Sequence, residues 1–555
     1  MRPRPEERRP SQLSVEGGIE HAPCALADPA YGSLDFTLSE AVFDNLRGLP
    51  AEALAPAWKP YVGTRQKLAA ICDIRDRAAT ILRDAGYIAA IEIPEQRIAG
   101  GVVRFDVLMA KLVAVRVRGD AGRSERAIAR YLEHLVGPEV FNRAEAERYL
   151  LLAGDLPGYD LRLTLKSAGG ARGEVVGEVV VKRIPAQLEV NLQDYGSSEL
   201  GRWGGLVRGQ VYGLTGLGDR TSLAFFATAD LHEQQTVQVG HEFRIGGEGL
   251  TLGGRLTYAW ANPDLNQPGV DVTARTLLAT AEARYPFQRT QARSVWGTLG
   301  FDLVDQRVRF NGLPLSRDKL RVAFARLAID ATDRDSLKRL GGYSPAEPRW
   351  RLEGSIEARQ GLGMFGASEG CGPALASCTA PGAVPPSRLE GDPTATLVRF
   401  EAYGEYRPVP KITFALGVRA QYSGQPLLTF EEYSGGNYTV GRGYDAGTLL
   451  GDSGIGLQSE IRFGSIVPKS PKALAAQPYF FFDAAWVSNE DRLLAPAGRQ
   501  RLTSAGAGVR AALGDAARLD VTVAVPLERA GLQAERGAPR LLVSLTTRLW
   551  PWSFR

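Results

Sequence analysis

The sequence holds no apolar run of roughly 18 or more residues, so no transmembrane helix is expected. It has 4 cysteines and 4 histidines in 555 residues and no CxxC pair, which argues against a bound metal. Neither sign of charge dominates. Lys+Arg 66 against Asp+Glu 62 leaves a net charge of +4, too balanced for a nucleic-acid binder. His134, His232 and His241 stand alone, and glycines such as Gly300 and Gly361 form no phosphate loop. No enzyme and no cofactor are therefore expected. The first ten residues are rich in Arg, Glu and Pro with no apolar stretch behind them, so they do not read as a secretory signal. A mean hydropathy of −0.15 leaves one membrane architecture open, a barrel whose strands need only alternate between apolar and polar residues.

Glycine, by contrast, is abundant, and it is dense around Val440-Gly441-Arg442-Gly443-Tyr444-Asp445 and Gly451-Asp452-Ser453-Gly454. Gly lets backbone approach closely and Arg presents a rigid fork of donors, which suits a tight loop tip reaching a buried acid. The alternative is an ordinary surface loop with a solvated Arg.

The N-terminal third reads as α/β, after a flexible segment at 1–33. Within 34–110, Phe36, Leu38, Val42 and Phe43 suggest a first strand and 50–58 a short helix. Thr64 can cap a longer helix in which Ile71, Ile74, Ala78, Ile81 and Ala85 recur at helical spacing until Gly86. Strands over 87–93 and 102–109 flank a turn at Ala99-Gly100-Gly101. The same order returns in 111–184. Ser124 is placed to cap a helix bearing Ile128, Tyr131, Leu132 and Leu135, Asn142 with Glu145 forms a capping-box pattern, and Leu156-Pro157-Gly158-Tyr159 turns into the last two strands. This is a tandem repeat of one small fold.

From about residue 185 period-two alternation recurs every ~20–25 residues and helical periodicity nearly vanishes. Ile412, Phe414, Leu416 and Val418 alternate with Thr413, Ala415, Gly417 and Arg419. Connections alternate between short (407–411) and long (363–394), and Trp260, Trp296, Trp550 and Trp552 fall near strand ends. The reading is a transmembrane antiparallel β-barrel of about sixteen strands over 185–555, with an infolded loop at about 424–454. In its wall Tyr479, Phe481, Asp483 and Ala485 share one face, while Phe480, Phe482, Ala484 and Trp486 share the lipid face. By the same parity Gln458, Glu460 and Arg462 point inward. An inward carboxylate needs a partner or water, and Arg442 is the candidate partner. The alternative is that a wide lumen simply solvates Asp483 and Glu460.

Together these pieces resemble a TpsB transporter of two-partner secretion, the FhaC/ShlB/HecB type within the Omp85 superfamily. The resemblance runs from about Leu34 to Phe554. The tandem repeat resembles two POTRA domains, Arg442-Gly443-Tyr444 matches the family's loop tip, and Phe481-Phe482-Asp483-Ala484-Ala485 matches its F-x-D-x-G strand motif. Ala485 stands where Gly is usual, and Gly441 replaces the residue normally before the Arg. The resemblance implies that periplasmic POTRA domains capture an unfolded TpsA-like exoprotein, which threads through a monomeric outer-membrane barrel and folds into a β-helix outside. A strand edge beside a helix groove is the expected recognition mode, with Ile71, Ile74, Ile81, Leu82, Tyr87 and Ile91 lining the groove in the first domain. The alternative is that those apolar residues form the domain core. Family members carry an N-terminal plug helix, which 1–33 matches poorly. Export implies an oxidising compartment, with Cys371 and Cys378 pairing inside the long extracellular loop and Cys24 and Cys72 as a second pair. Other readings are an Omp85-type insertase, a passive solute porin and a soluble β-rich adhesin.

Overall fold

The computed structural model describes residues 12–15, 24–265, 267–491, 499–531, 533 and 535–551. Trp552 and most of the 1–33 segment lie outside the described residues. The chain forms two compact units.

The N-terminal unit begins with β1 (Gln12–Val15). Its first domain contains β2 (Glu40–Asp44), α1 (Ala70–Asp84), β3 (Ala89–Glu92) and β4 (Val102–Met109). β4 lies between β2, which it pairs in parallel, and β3, which it pairs antiparallel. Apolar residues at helical spacing drive α1 onto this sheet: Ile71, Ile74, Ala78 and Leu82 are buried against Phe43, Ile91 and Phe105. The helix starts later than Thr64 suggests. Residues Arg65–Lys67 pair as a short strand with Asp35–Thr37, so the Thr64 hydroxyl bonds the Tyr61 carbonyl instead of capping. Past the end of α1, Gly86 takes φ 90°, a turn conformation that favours glycine.

A second domain repeats the order with β5 (Lys111–Gly119), α2 (Glu125–Glu133), α3 (Arg143–Gly154), β6 (Tyr159–Ser167) and β7 (Glu174–Arg183). Again the first strand runs parallel to the last, and the middle strand antiparallel to it. Asn142 Oδ1 accepts the Ala144 amide at 2.8 Å and caps α3, as its sequence position suggests. Ser124 is buried and makes no cap hydrogen bond, its backbone at φ −88°, ψ 12° lying outside the extended region that a capping residue takes. β1 adds in parallel to the edge of β6, and Cys24 is disulfide-bonded to Cys72. Two of the described parts of the 1–33 segment, Gln12–Val15 and Cys24, are thus each held to the folded unit.

The second unit is a closed barrel of sixteen antiparallel strands. In order they are β8 (Ala186–Gln193), β9 (Gly204–Tyr212), β10 (Arg220–Thr228), β11 (Gln234–Ile245), β12 (Leu250–Ala261), β13 (Val272–Arg289), β14 (Arg293–Phe310) and β15 (Leu313–Thr332). They continue as β16 (Trp350–Gly361), β17 (Thr396–Val409), β18 (Ile412–Ser423), β19 (Ser453–Phe463), β20 (Leu474–Ser488), β21 (Gln500–Leu513), β22 (Ala517–Pro526) and β23 (Arg540–Trp550). β23 pairs back onto β8, which leaves no open edge. The rim where β8 begins is the near rim. The long connections 362–395 and 424–452 leave from the far rim. Exposed Leu256, Leu299, Leu327, Ile356, Phe400 and Phe480 give the wall an apolar outside. Trp296 departs from the expected outer girdle. By register it faces the lumen, where the Arg284 guanidinium lies 4.9 Å from its ring centre.

Candidate functional site

The 424–452 connection folds into the barrel, and glycine makes this possible. Gly441 has φ 118°, and a Cβ there would fall 2.5 Å from the Leu502 side chain. At Gly443 a Cβ would come within 2.8 Å of the Pro526 backbone nitrogen. Between them, Arg442 is held to the wall. Its backbone amide and Nε both donate to Asp483 Oδ2 at 3.0 Å, and Nη2 donates to Asp483 Oδ1 at 2.7 Å. Nη1 donates to Glu460 Oε1 at 2.6 Å, and the guanidinium lies 3.7 Å from the Phe481 ring centre. A planar cation sandwiched between a carboxylate fork and an aromatic face is a strong, directional anchor.

Asp483 is fully buried, so its charge depends on that guanidinium. Glu460 is a hub of wider reach. It also accepts from Arg510 Nη1 at 2.8 Å and from Arg462 Nε at 2.7 Å. Arg510 goes on to Asp520 at 2.8 Å, and Arg462 to Glu405 at 2.6 Å. A continuous charged strip thus crosses the inner wall from β17 to β22. Next to it Tyr444 is buried, with its hydroxyl 2.8 Å from the carbonyls of Thr503 and Glu528. Tyr444, Val440, Leu449, Ala485 and Leu502 share one apolar cluster, so the Ala485 methyl is packed where the family motif has glycine.

A second anchor, which the sequence reading missed, holds the start of the same loop. Glu431 accepts from Arg359 Nη2 and from Arg399 Nη2, each at 2.8 Å, and Arg359 also donates to Asp302 at 2.8 Å. Leu428 packs onto Val304, Leu320 and Val322. At the far rim Arg388 ties three connections together, reaching Glu432 at 3.0 Å and Asp452 and Asp491 at 2.5 Å each. Burial, reinforced by Asp452 and Asp491, raises the Glu432 carboxyl to about 7 despite the pull of Arg388. Cys371 and Cys378 are disulfide-bonded within the 362–395 connection.

The groove residues of the first domain are distributed differently. Ile71, Ile74, Leu82 and Ile91 are buried in the core, while Ile81 and Tyr87 stay half-buried at its margin. The core takes the residues assigned to a groove, because one helix face cannot serve both. Among the described residues no group of His, Cys, Asp and Glu could hold a metal ion.

Fold and lumen together define a β-barrel transporter with an infolded loop, preceded by POTRA-type structure. The family profile for the haemolysin secretion/activation proteins ShlB/FhaC/HecB matches residues 175–511, and the profile for the ShlB-type POTRA domain matches 36–109. The chain belongs to the ShlB/FhaC/HecB family, whose members are transporters rather than enzymes. No curated protein matches the chain in sequence. Among solved structures, CdiB from Escherichia coli is similar at a TM-score of 0.72 and 16% identity, over 96% of this chain and 93% of that one. CdiB from Acinetobacter baumannii gives 0.63 and 16%, over 97% and 94%. BamA from Haemophilus ducreyi lacking POTRA domains 1–3 gives 0.52 and 13%, over 92% and 100%. At these identities the likeness is one of fold.

Proposed function

We propose that this chain sits in the outer membrane of a Gram-negative bacterium, binds an unfolded TpsA-like exoprotein with two POTRA domains in the periplasm, and passes it through the barrel. The observation that carries this reading is the loop tip held in the lumen by Arg442 between Asp483 and Glu460. A passive pore has no use for a charged plug fastened at both ends. A transporter does, because such a plug seals the lumen at rest and can be displaced when a chain enters. Folding of the exoprotein outside supplies direction, since no catalytic residue or nucleotide is involved. The edge of β6, where β1 already adds a strand, supports strand addition as the way these domains hold an extended segment. The test is co-expression with a large β-helical exoprotein encoded beside this gene. Its appearance in the medium only when this chain is present supports the proposal, and its release without this chain rejects it.

A further inference from the structure

Three neighbouring strands outgrow the rest. β13 and β14 have 18 residues each and β15 has 20, against 9 in β9 and β10 and 12 in β11 and β12. A membrane-crossing strand needs about 9–11 residues, so this section stands proud of the bilayer at the far rim. Its outer face there is cationic. Register places Arg275, Arg307 and Arg317 directly opposite one another across the three strands. Arg309 follows above, and Lys319 lies in the row below. Asp305 is the acid within that patch, 3.4 Å from Arg307 and 3.6 Å from Arg317. Arg307 keeps 56% of its side chain exposed and Arg317 39%.

Like charges directly opposite in a sheet are destabilising, so a row of three arginines is a cost that the fold alone does not explain. The height of the row is fixed independently. Trp260 on β12 is the next residue in the Arg275 row, and Tyr258 stands in the Leu277–Asp305–Lys319 row beneath. Outward Tyr and Trp mark the membrane–water interface. One further step down the wall, about 7 Å by strand geometry, the outer face is Leu256, Ala279 and Leu303 on β12 to β14, and the row ends on β15 at Arg321, which is buried with its Nε donating to the Phe365 carbonyl. The arginines therefore stand at headgroup level, directly above an apolar band.

We infer that this patch binds a lipid with a phosphorylated headgroup in the leaflet at the far rim. Guanidinium forks meet phosphate oxygens in pairs, and strands ~4.8 Å apart space the forks to share one multiply charged headgroup. The acyl chains then lie on the apolar band below. The inference rests on the outer-membrane reading given above.

The test uses the full chain in phosphatidylcholine vesicles doped with bis-phosphorylated lipid A or with its dephosphorylated form. Wild-type protein is compared with R275Q/R307Q/R317Q and with the lumen-facing control R255Q, and barrel integrity is followed by heat-modifiable mobility. Wild type and R255Q should bind the phosphorylated lipid about tenfold or more tighter than the triple variant, and all three should bind the dephosphorylated lipid equally weakly. In undoped vesicles the triple variant should be at least as heat-resistant as wild type, because the like-charge row is gone. Equal affinity of wild type and triple variant for phosphorylated lipid A overturns the inference, as does binding indifferent to phosphate. Exoprotein secretion is scored separately. Normal secretion beside phosphate-indifferent binding overturns the lipid site alone, whereas phosphate-dependent binding without secretion supports the lipid site and overturns only the transporter reading.

Discussion

Arg442 concentrates the energetics of the lumen in one side chain. Removing it leaves Asp483 buried and fully shielded from water, a loss on the order of 3–5 kcal/mol for a broken buried pair. Arg442→Ala should therefore free the loop tip, with the barrel still inserted because its strand ladder is untouched. Secretion should fall at least tenfold, by about the 1.4 kcal/mol per decade rule, and a protease added outside should cut the loop. Arg442→Lys should not restore either property, because an ammonium cannot engage both Asp483 oxygens and lie flat on Phe481. Secretion at wild-type level in Arg442→Ala would show that the anchor has no part in transport. Legibility at this scale follows from strand geometry. Period-two parity turned Asp483 and Glu460 inward from the sequence alone, since a strand has only two faces. Arg510 obeys the same parity, alternating with exposed Val509, but no short motif flags it. The Glu431–Arg359–Asp302 anchor was not legible, because its members come from a loop and two strands far apart in sequence, and only the closed barrel brings them together.

The infolded connection behaves as an element with two fastened ends. Glu431→Gln keeps the size of the side chain but removes the charge that Arg359 and Arg399 share, costing about 1–3 kcal/mol at a buried site. The expected result is larger and noisier conductance in planar bilayers, with the Arg442 end still held; unchanged conductance would mean that the first limb does not help to seal the pore. The far-rim tie has a pH sign of its own. The Glu432 carboxyl, raised to about 7 by burial, faces Arg388, Asp452 and Asp491. Because its folded value lies above its unfolded one, its contribution to stability is complete in acid and is lost as pH rises through about 7. Protease should therefore cut the 362–395 connection faster at a pH of about 8 than at about 5, and Glu432→Gln should flatten that difference. An equal pH dependence in Glu432→Gln would assign the effect to another group. The first domain shows the opposite limit of sequence reading. Helical spacing correctly marked Ile71, Ile74 and Ala78 as one buried face, but spacing cannot say whether that face meets its own sheet or a partner, and here it meets the sheet.

At the scale of the whole molecule, two units divide the work that the proposed function needs. The barrel supplies a sealed path and the N-terminal unit supplies strand edges, and neither role depends on the other's core. Removing residues 34–109 takes away β2, α1, β3 and β4 as one independently packed layer, together with one half of the Cys24–Cys72 tether. The sixteen-strand ladder from Ala186 onward stays complete, so the truncated chain should still show heat-modifiable barrel mobility. Binding of the N-terminal fragment of a co-encoded exoprotein, measured with immobilised full-length and truncated proteins, should weaken by at least about a hundredfold. If affinity is retained, recognition belongs to the second domain. There the edge of β6 would have to exchange β1 for the incoming strand, and deleting Gln12–Val15 should then tighten binding rather than leave it unchanged.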